Sequence, residues 1–146
     1  MFFLVAIATF ILDQYSKFLI MAKMSRGQSI PVIENIFHIT YIHNPGAAFG
    51  LLANKTSFFV AVSLLVIAGA VIFYRKTRAA MGRIMPVALG LVVGGSLGNL
   101  VDRVRFGEVV DFFDFRIWPV FNVADSAIVV GAGLLVILLW KSEGRR

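Results

Sequence analysis

Cysteine is absent from this 146-residue chain, which excludes a disulfide framework, thiolate zinc or iron–sulfur sites, and a cysteine nucleophile. Charge is scarce. Only 15% of residues are charged and 59% are apolar, against about 25% and roughly 45–50% in ordinary soluble domains. The only histidines, His38 and His43, fall in a strand-like stretch at an odd spacing, hence on opposite faces, and no partner completes a metal ligand set. Ser16, Ser96 and Ser126 have no matching His and acid for a triad, and the basic residues are too dispersed to line a nucleic-acid groove. What remains for chemistry is carboxylates, amides and hydroxyls.

The abundant component is hydrocarbon. A mean hydropathy of +0.86 in so short a chain points to long runs facing lipid rather than to a soluble core. A hydrocarbon layer about 30 Å thick needs roughly 20 helical residues to cross. Four stretches suffice, approximately 1–22, 57–74, 84–101 and 122–140. The first carries Asp13 and Lys17 and is followed by no small-residue cleavage pattern, so it reads as a permanent helix rather than a signal peptide. The chain, 1–146, therefore reads as one integral membrane domain, a four-helix all-α bundle. Arg75, Lys76, Arg78 and Arg83 sit between the second and third spans without an acid; Lys141, Arg145 and Arg146 follow the fourth with Glu143 alone. By the density of positive charge, both termini lie on the cytoplasmic side.

Segments 23–56 and 102–121 then share the outer side. Phe37–Tyr41 alternates apolar and polar residues before the turn-forming Asn44-Pro45-Gly46, and Val109–Phe115 is also strand-like. Two short strands are expected to form a small sheet at the membrane surface. The second would place Asp111 and Asp114 on opposite faces.

Polar residues inside or beside a span need partners or a function. Asp13 and Lys17 are spaced as an i,i+4 pair that neutralises itself in the bundle. Asn99, Asp102 and Arg103 share one face at the outer end of the third span, where Asp102 and Arg103 alone read as solvated charges closing a helix. Gly90, Gly94 and Gly98 recur every four residues, suiting close helix contact, with Gly95 one position round. Asn122 and Asp125 open the fourth span. If Asp125 meets Asp111 at the lipid–water boundary, the two carboxylates cannot both ionise cheaply, so one keeps a proton. An acid and a base are thereby made from one residue type, suited to activating water and protonating a carbonyl. A small proton-coupled transporter or channel is the alternative, although polar residues gathered at one membrane face suit it poorly. A structural adaptor would leave Asp111 and Asp125 without a role.

Five ordered motifs resemble those of bacterial lipoprotein signal peptidases (signal peptidase II): Asp13-Gln14-Tyr15-Ser16-Lys17, Asn44-Pro45-Gly46-Ala47-Ala48-Phe49-Gly50, Gly94 through Arg103, Val109-Val110-Asp111-Phe112, and Phe121 through Ser126. They span nearly the whole chain. The resemblance implies four membrane helices with a small outer-side β-cradle in the bacterial cytoplasmic (inner) membrane. It implies an aspartyl endopeptidase that cleaves diacylglyceryl-modified prolipoproteins on the N-terminal side of the lipidated cysteine. The catalytic pair falls on Asp111 and Asp125, and the substrate-binding or dyad-supporting residues on Asn44, Gly95, Asn99, Arg103 and Asn122. Asp13, Lys17 and Asp102 match positions of structural character. No metal or organic cofactor is implied; the partners are membrane lipid, the lipidated substrate and, as inhibitor, a peptide antibiotic of the globomycin type. The first span begins almost at Met1, without the short basic leader frequent in the family, a departure that touches no motif.

Overall fold

The structure, a computed structural model, describes residues 1–46, 55–79 and 81–143. Motif residues 47–50 and the basic tail residues Arg145 and Arg146 lie outside the described residues. The elements in chain order are α1 (Phe2–Lys23), β1 (Ser29–Ile33), β2 (Phe37–Asn44), α2 (Thr56–Thr77), α3 (Ile84–Phe106), β3 (Val109–Asp114) and α4 (Val123–Glu143). All four helices are long and apolar enough to cross a membrane.

The third span is the central one. Whereas α2 has no buried residue, α3 has eleven and packs against each of the other helices. Its glycines explain how. A Cβ on Gly94 would stand 2.5 Å from the Ala6 carbonyl oxygen of α1, and one on Gly95 would stand 2.5 Å from the Ala124 carbonyl oxygen of α4. No side chain fits at either place, so the backbones touch. Gly98, expected to serve the same contact as Gly90 and Gly94, instead leaves room for the Asp13 carboxylate.

Two expectations are corrected. The third span continues as helix to Phe106, past the boundary at residue 101, because Asp102 finds partners inside the bundle and the stop comes only at Gly107. That residue takes φ +77, left-handed backbone that glycine adopts without strain, and its N–H closes the helix on the Arg103 carbonyl at 3.0 Å. The sheet has three strands, ordered β1-β2-β3 and antiparallel throughout, rather than two. Every residue of β1 is exposed and Pro31 sits in its middle, so it lacks the alternation that marks a half-buried strand; as an edge strand it tolerates proline. Strand β2 runs to Asn44, and its register sets Ile42 opposite Asp111.

Candidate active site

Lys17 organises the polar interior. Its ammonium is almost completely buried and meets three acceptors for its three N–H groups: Asp13 Oδ2 at 2.9 Å, Asp102 Oδ2 at 2.8 Å and Asn99 Oδ1 at 3.0 Å. Asp102 is therefore no solvated helix end. Its Oδ2 also accepts the Val110 N–H at 3.1 Å, tying α3 to β3, and its Oδ1 accepts the Gln14 side chain at 3.0 Å. The pairing of Asp13 with Lys17 occurs as expected, and Asp13 does more than neutralise the cation. Its Oδ1 accepts the Ala124 N–H at 2.9 Å, satisfying a free donor in the first turn of α4.

Asn99 is oriented by this cation. An ammonium only donates, so the Asn99 oxygen must face Lys17, and the amide nitrogen is left to donate to Asp125 Oδ1 at 2.7 Å. Asn122 caps α4: its Oδ1 accepts the Asp125 N–H at 2.9 Å while Asp125 Oδ2 accepts the Asn122 N–H at 3.3 Å, a reciprocal capping box. The Asn122 amide nitrogen also donates to Asp111 Oδ1 at 2.6 Å. Asn44 donates to Asp111 Oδ2 at 2.9 Å, its own oxygen held by the Gly46 N–H at 3.0 Å. Asp111 and Asp125, from β3 and α4, are thus bridged by one asparagine and braced by two more.

Both carboxylates line a cleft of about 400 Å³ together with Asn44, Asn99 and Arg103. The Arg103 guanidinium stands 4.8 Å over the Phe59 ring and reaches the Gly46 carbonyl at 3.4 Å. Gly95 lies against Ala124 and not on the cleft wall. It sets the depth at which α4, and hence Asp125, approaches α3. Asp114 turns away, as the strand alternation requires, to the Thr40 hydroxyl at 2.7 Å and Arg116 at 3.1 Å. The two histidines part company: His38 faces Ser29, and His43 faces Tyr41 and Glu108. Missed at the level of sequence were Gln14 and the cleft-lining Ser63. Serines are common in membrane helices, and nothing in spacing separates those that meet a cleft from those that do not. The capping box was open to view as Asn-x-x-Asp at the head of an apolar run.

The electrostatics of the pair follow from burial. Burial first, and then the charge of Asp125, push the Asp111 carboxyl up to about 7, although hydrogen bonds from Asn44 and Asn122 favour its ionised form. One proton is therefore held within the pair near neutral pH. A cleft with such a pair can deprotonate a water with one member and protonate a carbonyl oxygen with the other.

Four helices of membrane length, three of which line this cleft, define a multi-pass membrane protein. The family model described as "Signal peptidase (SPase) II" matches residues 5–141. The lipoprotein signal peptidase of Pelotomaculum thermopropionicum is 54% identical, over 99% of this chain and 95% of the relative. That of Halothermothrix orenii is 48% identical, over 98% and 97%. A solved structure, a bacterial membrane enzyme determined by the in meso method at 2.3 Å resolution, superposes with a TM-score of 0.90 at 38% identity, covering 98% of this chain and 89% of that one. The chain belongs to the signal peptidase II family and is a membrane peptidase.

Proposed function

We propose that this chain is an aspartyl endopeptidase that removes signal peptides from diacylglyceryl-modified prolipoproteins, cutting on the N-terminal side of the lipidated cysteine. The observation that carries the reading is the pair Asp111 and Asp125, joined through Asn122 and lining one cleft. Membership of the signal peptidase II family supports the substrate class.

In the proposed mechanism, the ionised member of the pair takes a proton from water as the oxygen attacks the scissile carbonyl. The protonated member donates to the carbonyl oxygen, giving a tetrahedral intermediate, and proton return to the leaving amine completes the cut. Asn44, Asn99 and Asn122 keep both carboxylates in place. Arg103 and the polar edge of the cleft meet the substrate backbone, which lipid leaves unsatisfied once it unwinds. The substrate's helix and acyl chains already reside in the bilayer, so a cleft at the membrane boundary reaches both substrate and water.

The protein would then sit in the cytoplasmic membrane of a bacterium with both termini inside and the cleft near the outer leaflet. A peptide antibiotic of the globomycin type would compete for the cleft. The deciding experiment is cleavage of a diacylglyceryl-modified prolipoprotein by purified protein, comparing wild type with Asp111→Asn and Asp125→Asn. The expected outcome is a cut immediately before the lipidated cysteine, reduced at least about a thousandfold in each variant, with folding preserved. Cleavage surviving in either variant would remove that residue from the chemistry. No cleavage by folded wild type would overturn the reading.

A further inference from the structure

Beyond the carboxylates the cleft is lined by Val62, Ser63 and Val66 of α2, by Ile128 and Val129 of α4 and by Ser96 of α3, residues that lie further into the three helices. A hydroxyl on a membrane helix can return its proton to a carbonyl about one turn back. Ser16 does so on the Asp13 carbonyl at 2.7 Å, Thr77 on that of Phe73 at 2.6 Å and Ser126 on that of Asn122 at 3.0 Å. Of the described helical hydroxyls that do not, among them Thr9 and Ser57, only Ser63 and Ser96 meet the cleft. Neither side chain is hydrogen-bonded to another described residue, although Ser96 is only 6% exposed, and both meet the cleft. Ser96 lies three residues before Asn99, about 4.5 Å deeper along α3. Among the described residues, two hydroxyls thus stand free on two sides of a mainly apolar passage, that of Ser96 about one helical turn from Asn99.

A peptidase of this kind must hold its substrate extended around the bond to be cut. A signal segment that leaves the helical state within lipid exposes N–H and C=O groups, each costing several kcal/mol if unmet. A hydroxyl both donates and accepts, so it can serve either group. We propose that Ser63 and Ser96 form a subsite that hydrogen-bonds the unwound substrate backbone on the membrane-buried, signal-peptide side of the scissile bond. This rests on the signal peptidase reading above and assigns the polar support for the half of the substrate that never reaches water. The ligand chemistry is the peptide amide itself, not a side chain, so the subsite tolerates varied signal sequences. It selects for segments able to unwind there.

The test uses the full chain in lipid nanodiscs and lipidated prolipoproteins in which one backbone amide among the last few residues before the cut is replaced by an ester. Wild type is expected to lose about tenfold in kcat/KM at one of these positions, the worth of one neutral hydrogen bond. Ser63→Ala combined with Ser96→Ala is expected to cleave the all-amide substrate about tenfold or more below wild type, with an unchanged pH profile because the dyad is untouched, and to be indifferent to the ester. Ser63→Ala alone, at a half-buried position, carries the same comparison if the double variant does not fold. An ester penalty equal in wild type and variant, or a variant as fast as wild type on the all-amide substrate, would overturn the subsite and leave the peptidase reading standing. Absence of cleavage by wild type would overturn both.

Discussion

Asp111 and Asp125 carry the same side chain in different settings, and what surrounds Asp111 determines where it titrates. Asp111 sits beyond the helices, on a strand, with its pKa pushed up to about 7 by burial and then by the charge of Asp125. In the unfolded chain the same group titrates near 3.8. The folded form thus binds the proton more tightly, and the stability this contributes is complete below 3.8 and lost as pH rises through about 7. Thermal unfolding in detergent is expected to show stability declining across about pH 6 to 8 in wild type, with that slope missing in Asp111→Asn. Cleavage should fall on the same basic limb as the shared proton leaves, and again in acid as the second carboxylate fills. Removing a donor that favours the ionised form, as in Asn44→Ala, should move the Asp111 titration upward. Asp125→Asn should move it downward without restoring 3.8, because burial is the larger cause. The carboxyl carbonyl infrared band reports both shifts.

At the scale of elements, the polar residues act as joints between helices. Lys17 joins α1 to α3, Asp13 joins α1 to the start of α4, and Asp102 joins α3 to β3. Lys17→Met leaves two buried carboxylates without their cation and is expected to cost about 3–5 kcal/mol. Adding Asp13→Asn and Asp102→Asn should recover much of that loss, as measured by thermal unfolding. Gly95→Val drives a side chain into the Ala124 carbonyl and must displace the first turn of α4. Its expected cost is about 1–3 kcal/mol in stability, with a larger proportional loss of cleavage, because Asp125 lies in that turn. Helix number and approximate limits were legible in the sequence, since apolar runs of membrane length have few other uses. Strand β1 and the extension of α3 to Phe106 were not. The first is exposed throughout and the second begins at Asp102, a charge that looks solvated until its partners are known.

Across the whole molecule, α3 is the axis against which the other helices pack, while α2 and α4 form the two walls of a passage lined toward its membrane side mainly by apolar residues. The proposed orientation puts the sheet outside and the α2–α3 connection inside. Because the chain has no cysteine, single substitutions test this cleanly. A membrane-impermeant thiol reagent is expected to label Glu34→Cys in intact cells, and Lys76→Cys only after permeabilisation; the reverse pattern would invert the topology.

That this is a membrane protein with four spans follows from the chain alone, because hydropathy and spacing are properties of the chain; the five ordered motifs were legible there only through their resemblance to a known family. The candidate pair and the opposition of Asp111 to Asp114 were visible there too, since alternation along a strand is local. It took the packed fold to bury Asp102 against Lys17, to let Lys17 set the orientation of Asn99, and to make Gly95 a spacer for α4 rather than part of the cleft wall. Each of these is a contact between segments distant in the chain. Their energies depend on burial and on which atoms meet, and neither exists until the helices have packed.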